Sequence, residues 1–343
     1  MTESPRSLRI GIVGAGGIVR QRHLPNLRAI PNVDIRVVCN RRPETAAAFA
    51  QEFGIPEVAE HWEEVVQRSD LDIIWIGTTP HLHAPITIAA LEAGKHVFCQ
   101  ARMARTLDEA KAMLGAAEAH SSQVTMLCPP PNAIKQGLYF EELLRQKCIG
   151  ELYHFHLRSM NSAWADPSAP AHWRQRQEIS GKNVLSVGIY AEVLGAFLGD
   201  PTALCAQGRV CIPNRSGYTV GIPDFLQVIG KWPNNVAGTL QWSGVAQFGG
   251  TDVLELFGSE GTLVYDFGLE QIRLGKRGQT QLEQLTTPEK YLRNWTVEQD
   301  FIRAVREGGR PEPSFATGVR YMQVVEAVAR SLADNSWVTL ADR

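Results

Sequence analysis

The sequence has no basic excess. Its 343 residues carry 34 Lys and Arg against 36 Asp and Glu, a formal net charge of -2. Nucleic-acid binding draws on a positive surface that displaces counterions, so DNA or RNA is not an expected partner. No apolar run approaches the roughly 18 residues of a membrane span. Met1 to Arg9 are polar and lack the apolar core of a secretory signal. Cysteine is sparse: Cys39, Cys99, Cys128, Cys148, Cys205 and Cys211 show no Cys-x-x-Cys spacing. That argues against a disulfide framework or a zinc site, and fits a reduced cytoplasm. His-Glu-x-x-His, Gly-x-x-x-x-Gly-Lys-Ser/Thr and Gly-x-Ser-x-Gly are all missing. The zincin, P-loop and serine-hydrolase signatures are therefore absent. There is no internal repeat and no low-complexity segment.

What is present suits two globular domains. Apolar residues make up 44% of the chain and charged residues 20%. At roughly 150 residues per domain, the length suggests two. Through residue 128, short apolar strands alternate with helices. Ile10 to Val13, Ile35 to Cys39, Leu71 to Ile76, His96 to Cys99 and Val124 to Leu127 read as strands. Helices are expected at about Ile18 to Arg28, after Pro43, at Ile86 to Ala93 and at Leu107 to His120. Continuous apolar strands alternating with helices predict an α/β domain, a doubly wound parallel sheet covered on both faces.

Pro129-Pro130-Pro131 breaks this rhythm, and a helix is expected from about Asn132 to Gln146. Past Gly150, strands at Leu152 to Leu157, Ala203 to Val210, Phe225 to Ile229, Val236 to Trp242, Val253 to Phe257 and Thr262 to Tyr265 are joined mostly by short polar turns. They predict an α+β domain over residues 129–343 with one large, mainly antiparallel sheet. Helices are expected at about Val184 to Leu198, Leu292 to Glu307 and Ala316 to Leu332.

Gly14-Ala15-Gly16-Gly17-Ile18 follows the first strand and precedes a helix. In that setting the first glycine permits a tight turn, and the second lets backbone approach a pyrophosphate resting on the helix N-terminus. The third position of the pattern is Val19, so wider helix–strand packing is expected there. Dinucleotide sites that take NAD place an acid at the end of the second strand, against the ribose 2′-hydroxyl. Here that position is Asn40, followed by Arg41 and Arg42. An amide with two guanidiniums favours a 2′-phosphate, so the expected cofactor is NADP, with NAD the alternative. Thr78, Thr79, Pro80, His81 and His83 follow the third long strand at its carboxyl end, where ligands of such sheets lie. They read equally as cofactor contacts or as an ordinary helix entry.

These residues resemble a known family. Ile10 to Ile18, Thr79-Pro80-His81-Leu82-His83, Leu91 to Cys99, Asp300 to Gly308 and Tyr321 to Val328 resemble the glucose–fructose oxidoreductase, inositol dehydrogenase and rhizopine-catabolism (Gfo/Idh/MocA) oxidoreductases. The resemblance implies an N-terminal Rossmann domain and a C-terminal sheet often used for oligomerisation, hence a homodimer or homotetramer. It also implies NAD(P)-linked chemistry on a sugar, polyol or sugar acid. The departures are pointed. Where the family carries Glu-Lys-Pro, this chain has Gln100-Ala101-Arg102. Where the family carries Asp-x-Gly-x-His at a helix start, it has Ser186-Val187-Gly188-Ile189-Tyr190.

Hydride transfer at a secondary alcohol needs a partner for the proton. Tyr190 stands at the family's histidine position, and spacing places Asn183 and Ser186 on the same helix face. A phenol needs a nearby cation to accept a proton at neutral pH; Arg102 and Lys182 are the candidates. His172-Trp173-Arg174, with Trp164 nearby, forms a loop suited to covering a pocket. Trp173 could stack on a sugar, and Arg174 or Arg176 hold a carboxylate. Gln100 is expected at the cofactor. Two other readings stay open: a tightly held cofactor serving isomerisation or elimination, and a cofactor-binding sensor or scaffold without catalysis.

Overall fold

The computed structural model describes residues 6–130 and 134–340. The chain divides into two compact units. One comprises Met1–Pro129 with Thr296–Val319, the other Pro130–Trp295 with Arg320–Arg343.

In the first unit, β1 (Leu8–Val13), β2 (Val33–Cys39), β3 (Glu57–Ala59), β4 (Ile73–Ile76), β5 (His96–Cys99) and β6 (Thr125–Leu127) form one parallel sheet. Its order is β3-β2-β1-β4-β5-β6. The direction of winding reverses between β1 and β4, which opens a crevice at the carboxyl ends of those strands. All four residues of β4 are fully buried, as a central strand covered on both faces requires. The helices start and stop on local chemistry. Pro43 and Pro80 occupy the first turns of α2 (Pro43–Phe53) and α4 (Pro80–Glu92), where the missing N–H costs nothing. Gly54 ends α2 in the left-handed region, at φ 57°. Thr106 caps α5 (Leu107–Ala119) by accepting from the Glu109 amide at 3.2 Å.

The helix expected from Ile18 to Arg28 is a π-turn over Val19–His23 running into α1 (Leu24–Arg28). Pro25 falls in that run, and its ring nitrogen cannot donate to the ladder.

A single domain boundary after residue 128 does not describe this chain. Thr296–Val319 returns to the first unit. There α9 (Val297–Glu307) buries Val297, Phe301 and Ile302. The Phe301 ring packs edge-on against Trp75 at 5.8 Å and Phe98 at 5.7 Å, which are themselves stacked at 3.8 Å. The Leu127 amide donates to Pro313 O at 2.8 Å. α9 also starts later than expected, at Val297 instead of about Leu292, and a separate 3₁₀ turn precedes it at Glu289–Tyr291.

The second unit holds nine strands in the order β16-β15-β14-β13-β7-β12-β11-β8-β17. They are β7 (Leu152–Met160), β8 (Ala203–Arg209), β11 (Phe225–Trp232), β12 (Val236–Ser243), β13 (Val253–Gly258), β14 (Gly261–Asp266), β15 (Gln271–Lys276), β16 (Glu283–Leu285) and β17 (Val338–Thr339). All neighbours are antiparallel except β7 and β12. A separate hairpin pairs β9 (Asn214–Arg215) with β10 (Tyr218–Thr219). Strict alternation marks β11: Leu226, Val228 and Trp232 are buried, and Gln227, Ile229 and Lys231 are exposed. One face is therefore packed and one open. α8 (Val187–Phe197) and the part of α10 (Phe315–Asp334) after Val319 cover the packed face. Val187, Ala191, Leu194, Leu204, Val228, Leu240, Val324 and Val328 line one small apolar cavity there. α6 covers Ile134–Arg145; Pro131, Asn132 and the expected start of that helix lie outside the described residues.

Candidate active site

The glycine loop sits at the crevice of the first sheet. Gly14 has φ 90°, and a Cβ on it would lie 2.5 Å from the Thr78 amide nitrogen. A Cβ on Gly77 would lie 2.3 Å from Gly14 O and 2.5 Å from a Val19 methyl. The loops after β1 and β4 thus meet backbone to backbone, and the Gly77 amide donates to Val13 O at 2.8 Å. Val19 explains the departure from the usual pattern. It is fully buried and packs onto Gly77, so the missing side chain lies on the strand side of the contact. Gly16 and Gly17 are exposed, and a Cβ on either would meet nothing within 4 Å. Ile18 beside them is 39% exposed. The open backbone and positive-φ turn fit the diphosphate of a dinucleotide.

Asn40, expected at the cofactor ribose, is part of the loop's frame. Its Oδ1 accepts from the Ala15 amide at 2.7 Å, and its Nδ2 donates to Thr45 Oγ1 at 3.2 Å. Arg41 and Arg42 are exposed; Arg42 lies 3.7 Å from Glu44, with both side chains about two-thirds exposed. Such a pair holds its partner weakly. Burial, then the charges of Arg105 and Arg41, hold His81 below the ordinary histidine range. His81 Nδ1 lies 3.0 Å from Thr79 Oγ1. Thr78, Thr79 and His81 are partly exposed and Pro80 is buried.

His83, expected at the cofactor, ties two turns together in this structure. It is fully buried, with Nδ1 2.9 Å from Arg102 O and Nε2 3.0 Å from Thr78 O. It links the turn after β5 to the turn after β4. Arg102 is itself 3% exposed. Gln100 is buried, and its side-chain nitrogen bonds His23 Nε2. His23 Nδ1 bonds Glu298, which also accepts from Asn26 Nδ2 at 3.1 Å. Sequence reasoning missed His23 and Glu298 because 275 residues separate the pair.

In the second unit, the expectation of one shared helix face is corrected. α8 begins at Val187, and Leu185 has φ 46°, so Asn183 lies ahead of the helix. Asn183 is buried, and its Nδ2 donates to Ser180 O at 2.7 Å. Ser186 holds the N-cap position, with Oγ 3.4 Å from Ser159 Oγ. Tyr190 is 1% exposed, and its hydroxyl donates to Asp252. The partner at that hydrogen bond is a carboxylate. Lys182 pairs with Glu326 on α10. Asp252 was also missed; nothing in the sequence couples it to Tyr190.

The loop before α8 holds the remaining candidates. Trp173–Gln175 is a 3₁₀ turn closed by a capping box. The Arg174 amide donates to His172 Nδ1 at 3.2 Å, and the His172 amide donates to Gln175 Oε1 at 3.0 Å. Ring centroids of Trp164 and His172 lie 6.4 Å apart, and those of His172 and Trp173 5.4 Å. The Arg174 guanidinium lies 4.2 Å over the Trp173 ring. Arg215, 1% exposed, donates to Asp166 O at 2.7 Å and to Trp164 O, pinning the loop.

Comparison with known proteins places this geometry. A family model described as "Oxidoreductase family, NAD-binding Rossmann fold" (GFO_IDH_MocA) matches residues 8–127. The GFO/IDH/MocA C-terminal domain matches residues 138–264. Levoglucosan dehydrogenase of Pseudarthrobacter phenanthrenivorans is 26% identical, covering 97% of this chain and 98% of its own. A dTDP-3,4-didehydro-2,6-dideoxy-alpha-D-glucose 3-reductase of Streptomyces antibioticus is 28% identical, covering 95% and 97%. Among solved structures, levoglucosan dehydrogenase in complex with NADH and levoglucosan superimposes with a TM-score of 0.88. It is 24% identical, over 98% of this chain and all of that one.

Burial holds His81, His83, His96 and His172 below the ordinary histidine range. Their folded-state values lie below their unfolded ones, so the unfolded chain takes up protons first as pH falls through about 6.5. Stability is then complete above that value and declines below it. The urea midpoint, followed by circular dichroism, is expected to be lower at pH 5.5 than at pH 7.5. Equal midpoints would contradict the assignment.

Proposed function

The chain belongs to the Gfo/Idh/MocA oxidoreductase family, and on that premise we propose that it is an NADP-dependent oxidoreductase acting on a sugar, polyol or sugar acid. The observation that carries the reading is the exposed Gly16–Gly17 backbone at the strand-order reversal, framed by the Gly14–Gly77 contact. The sugar-active relatives support the substrate class. When bound, the cofactor accepts or supplies a hydride at nicotinamide C4.

The chain's own residues do the rest. Asn40 holds the glycine loop through Ala15. Arg41 and Arg42 supply the charge that favours a 2′-phosphate, because Asn40 brings none and the exposed Arg42–Glu44 pair is weak. Tyr190 and Asp252 handle the proton. In the oxidative direction the substrate hydroxyl gives its proton to the Tyr190 oxygen as the Tyr190 proton moves to Asp252. In the reductive direction both transfers reverse. This arrangement uses a carboxylate as the final acceptor and requires no cation beside the phenol.

The open sheet face supports a homodimer or homotetramer. Ile229 is 49% exposed on it, and the exposed His154 stacks on Phe257 with ring centroids 4.7 Å apart. Gln227 and Lys231 flank Ile229 there, and an open sheet face of mixed character is a subunit contact in many oligomers.

Three measurements follow. Titration of both cofactors should give tighter binding of NADP than of NAD, and Arg41→Ala should weaken NADP by about 1–3 kcal/mol, the scale of a hydrogen bond to a charged group. Tighter NAD binding would reject the preference. Tyr190→Phe and Asp252→Asn should each lower kcat by about 10²-fold, with cofactor affinity unchanged and the double variant little worse than either single one. Full activity of Tyr190→Phe on a confirmed substrate would remove it from the mechanism. Light scattering should show an oligomer at micromolar concentration; a monomer would reject the sheet-face contact.

A further inference from the structure

We infer that the substrate carries an anionic group, a carboxylate or a phosphate, and that Arg174 stacked on Trp173 receives it. The inference rests on the sugar-oxidoreductase reading and narrows its substrate class.

The arginines of this loop region differ in how their charge is met. Arg176 lies 3.7 Å from Glu178 and 4.6 Å over the Tyr218 ring. Arg215 is spent on the carbonyls of Asp166 and Trp164. Arg174 is partly buried, yet among the described residues no carboxylate lies within 4 Å of it. Desolvation pulls it below the ordinary arginine range, with no opposing acid. A guanidinium withdrawn from water without a counterion is costly, and a ligand anion removes that cost. A neutral sugar hydroxyl does so only weakly.

The surroundings fit an anionic sugar rather than a lone ion. The Arg174 guanidinium lies over the Trp173 ring at 4.2 Å. That contact restrains the guanidinium while its N–H groups remain able to meet a carboxylate or phosphate. The capping box fixes the turn that carries both residues. Because His172 Nδ1 accepts from the Arg174 amide, its neutral ring carries the proton on Nε2, a further donor. Trp164 lies against Gly244, where a Cβ would come within 2.6 Å of the indole. Trp164, His172 and Trp173 together form an aromatic row, the surface on which a sugar ring stacks.

The test is isothermal titration of the purified protein with D-glucose, D-glucuronate and D-glucose 6-phosphate, alongside steady-state kinetics on neutral sugars, sugar acids and sugar phosphates. At least one anionic sugar should bind more than tenfold tighter than glucose. Whether glucuronate or the phosphate leads identifies the anion. Arg174→Ala should abolish that difference and raise KM for the anionic substrate by 10–100-fold. It should leave kcat within a few-fold and glucose binding unchanged, while Arg174→Lys restores part of the affinity. Equal binding of neutral and anionic sugars, no binding of either anion, or equal weakening of both classes by Arg174→Ala would overturn the inference. Turnover of neutral sugars alone would leave the oxidoreductase reading intact and sink this one. Preferential anion binding with no turnover of any sugar would do the reverse.

Discussion

The first unit turns on one contact, the approach of Gly14 to Gly77. Two strand ends that diverge in topology must come together at the reversal of the sheet, and they do so with no side chain between them. A Cβ on either residue would strike backbone, which cannot swing aside as a side-chain tip can. The positive φ of Gly14 turns the loop, and the Asn40 carboxamide locks it by binding Ala15. The exposed backbone at Gly16 and Gly17 is a consequence of that frame. Val19 buries its methyls against Gly77, so a valine at the pattern's third position is accommodated by a glycine on the opposite strand.

Behind the crevice lies a polar chain in an apolar setting. Gln100, His23 and Glu298 are buried together, with His23 5.1 Å from Trp75 and 5.3 Å from Phe98. Buried polar groups are tolerable only when their hydrogen bonds are met, and here each member satisfies the next. The chain also explains why Thr296–Val319 folds back: α9 brings both the apolar ring of Phe301 and the carboxylate that His23 requires.

The second unit separates its tasks by face. Alternating residues send one side of the sheet against α8 and α10 and leave the other open. The loop carrying Trp164, Trp173 and Arg174 is tied down by Arg215, a capping box and the close approach of Trp164 to Gly244. Tyr190 is likewise held, between the Phe267 ring at 5.6 Å and the Asp252 carboxylate.

Much of this was legible in the amino-acid order, because it depends on short-range rules. Apolar runs alternating with helix formers specified the parallel sheet, and alternation in strands such as Phe225–Trp232 specified a sheet with one open face. Gly14-x-Gly16 between strand and helix marked the loop that the fold leaves open at the reversal of the sheet. What the order of residues did not reveal is long-range pairing. His83 reads as a loop histidine until the backbone carbonyls of Thr78, Arg102 and Met103 enclose it. Lys182 reads as an available cation until Glu326 meets it. Asp252 and Glu298 are unremarkable acids until folding sets them beside Tyr190 and His23. A local pattern encodes which face of an element is apolar. Which polar group ends beside which is decided only when distant segments pack and every buried donor and acceptor must find a partner.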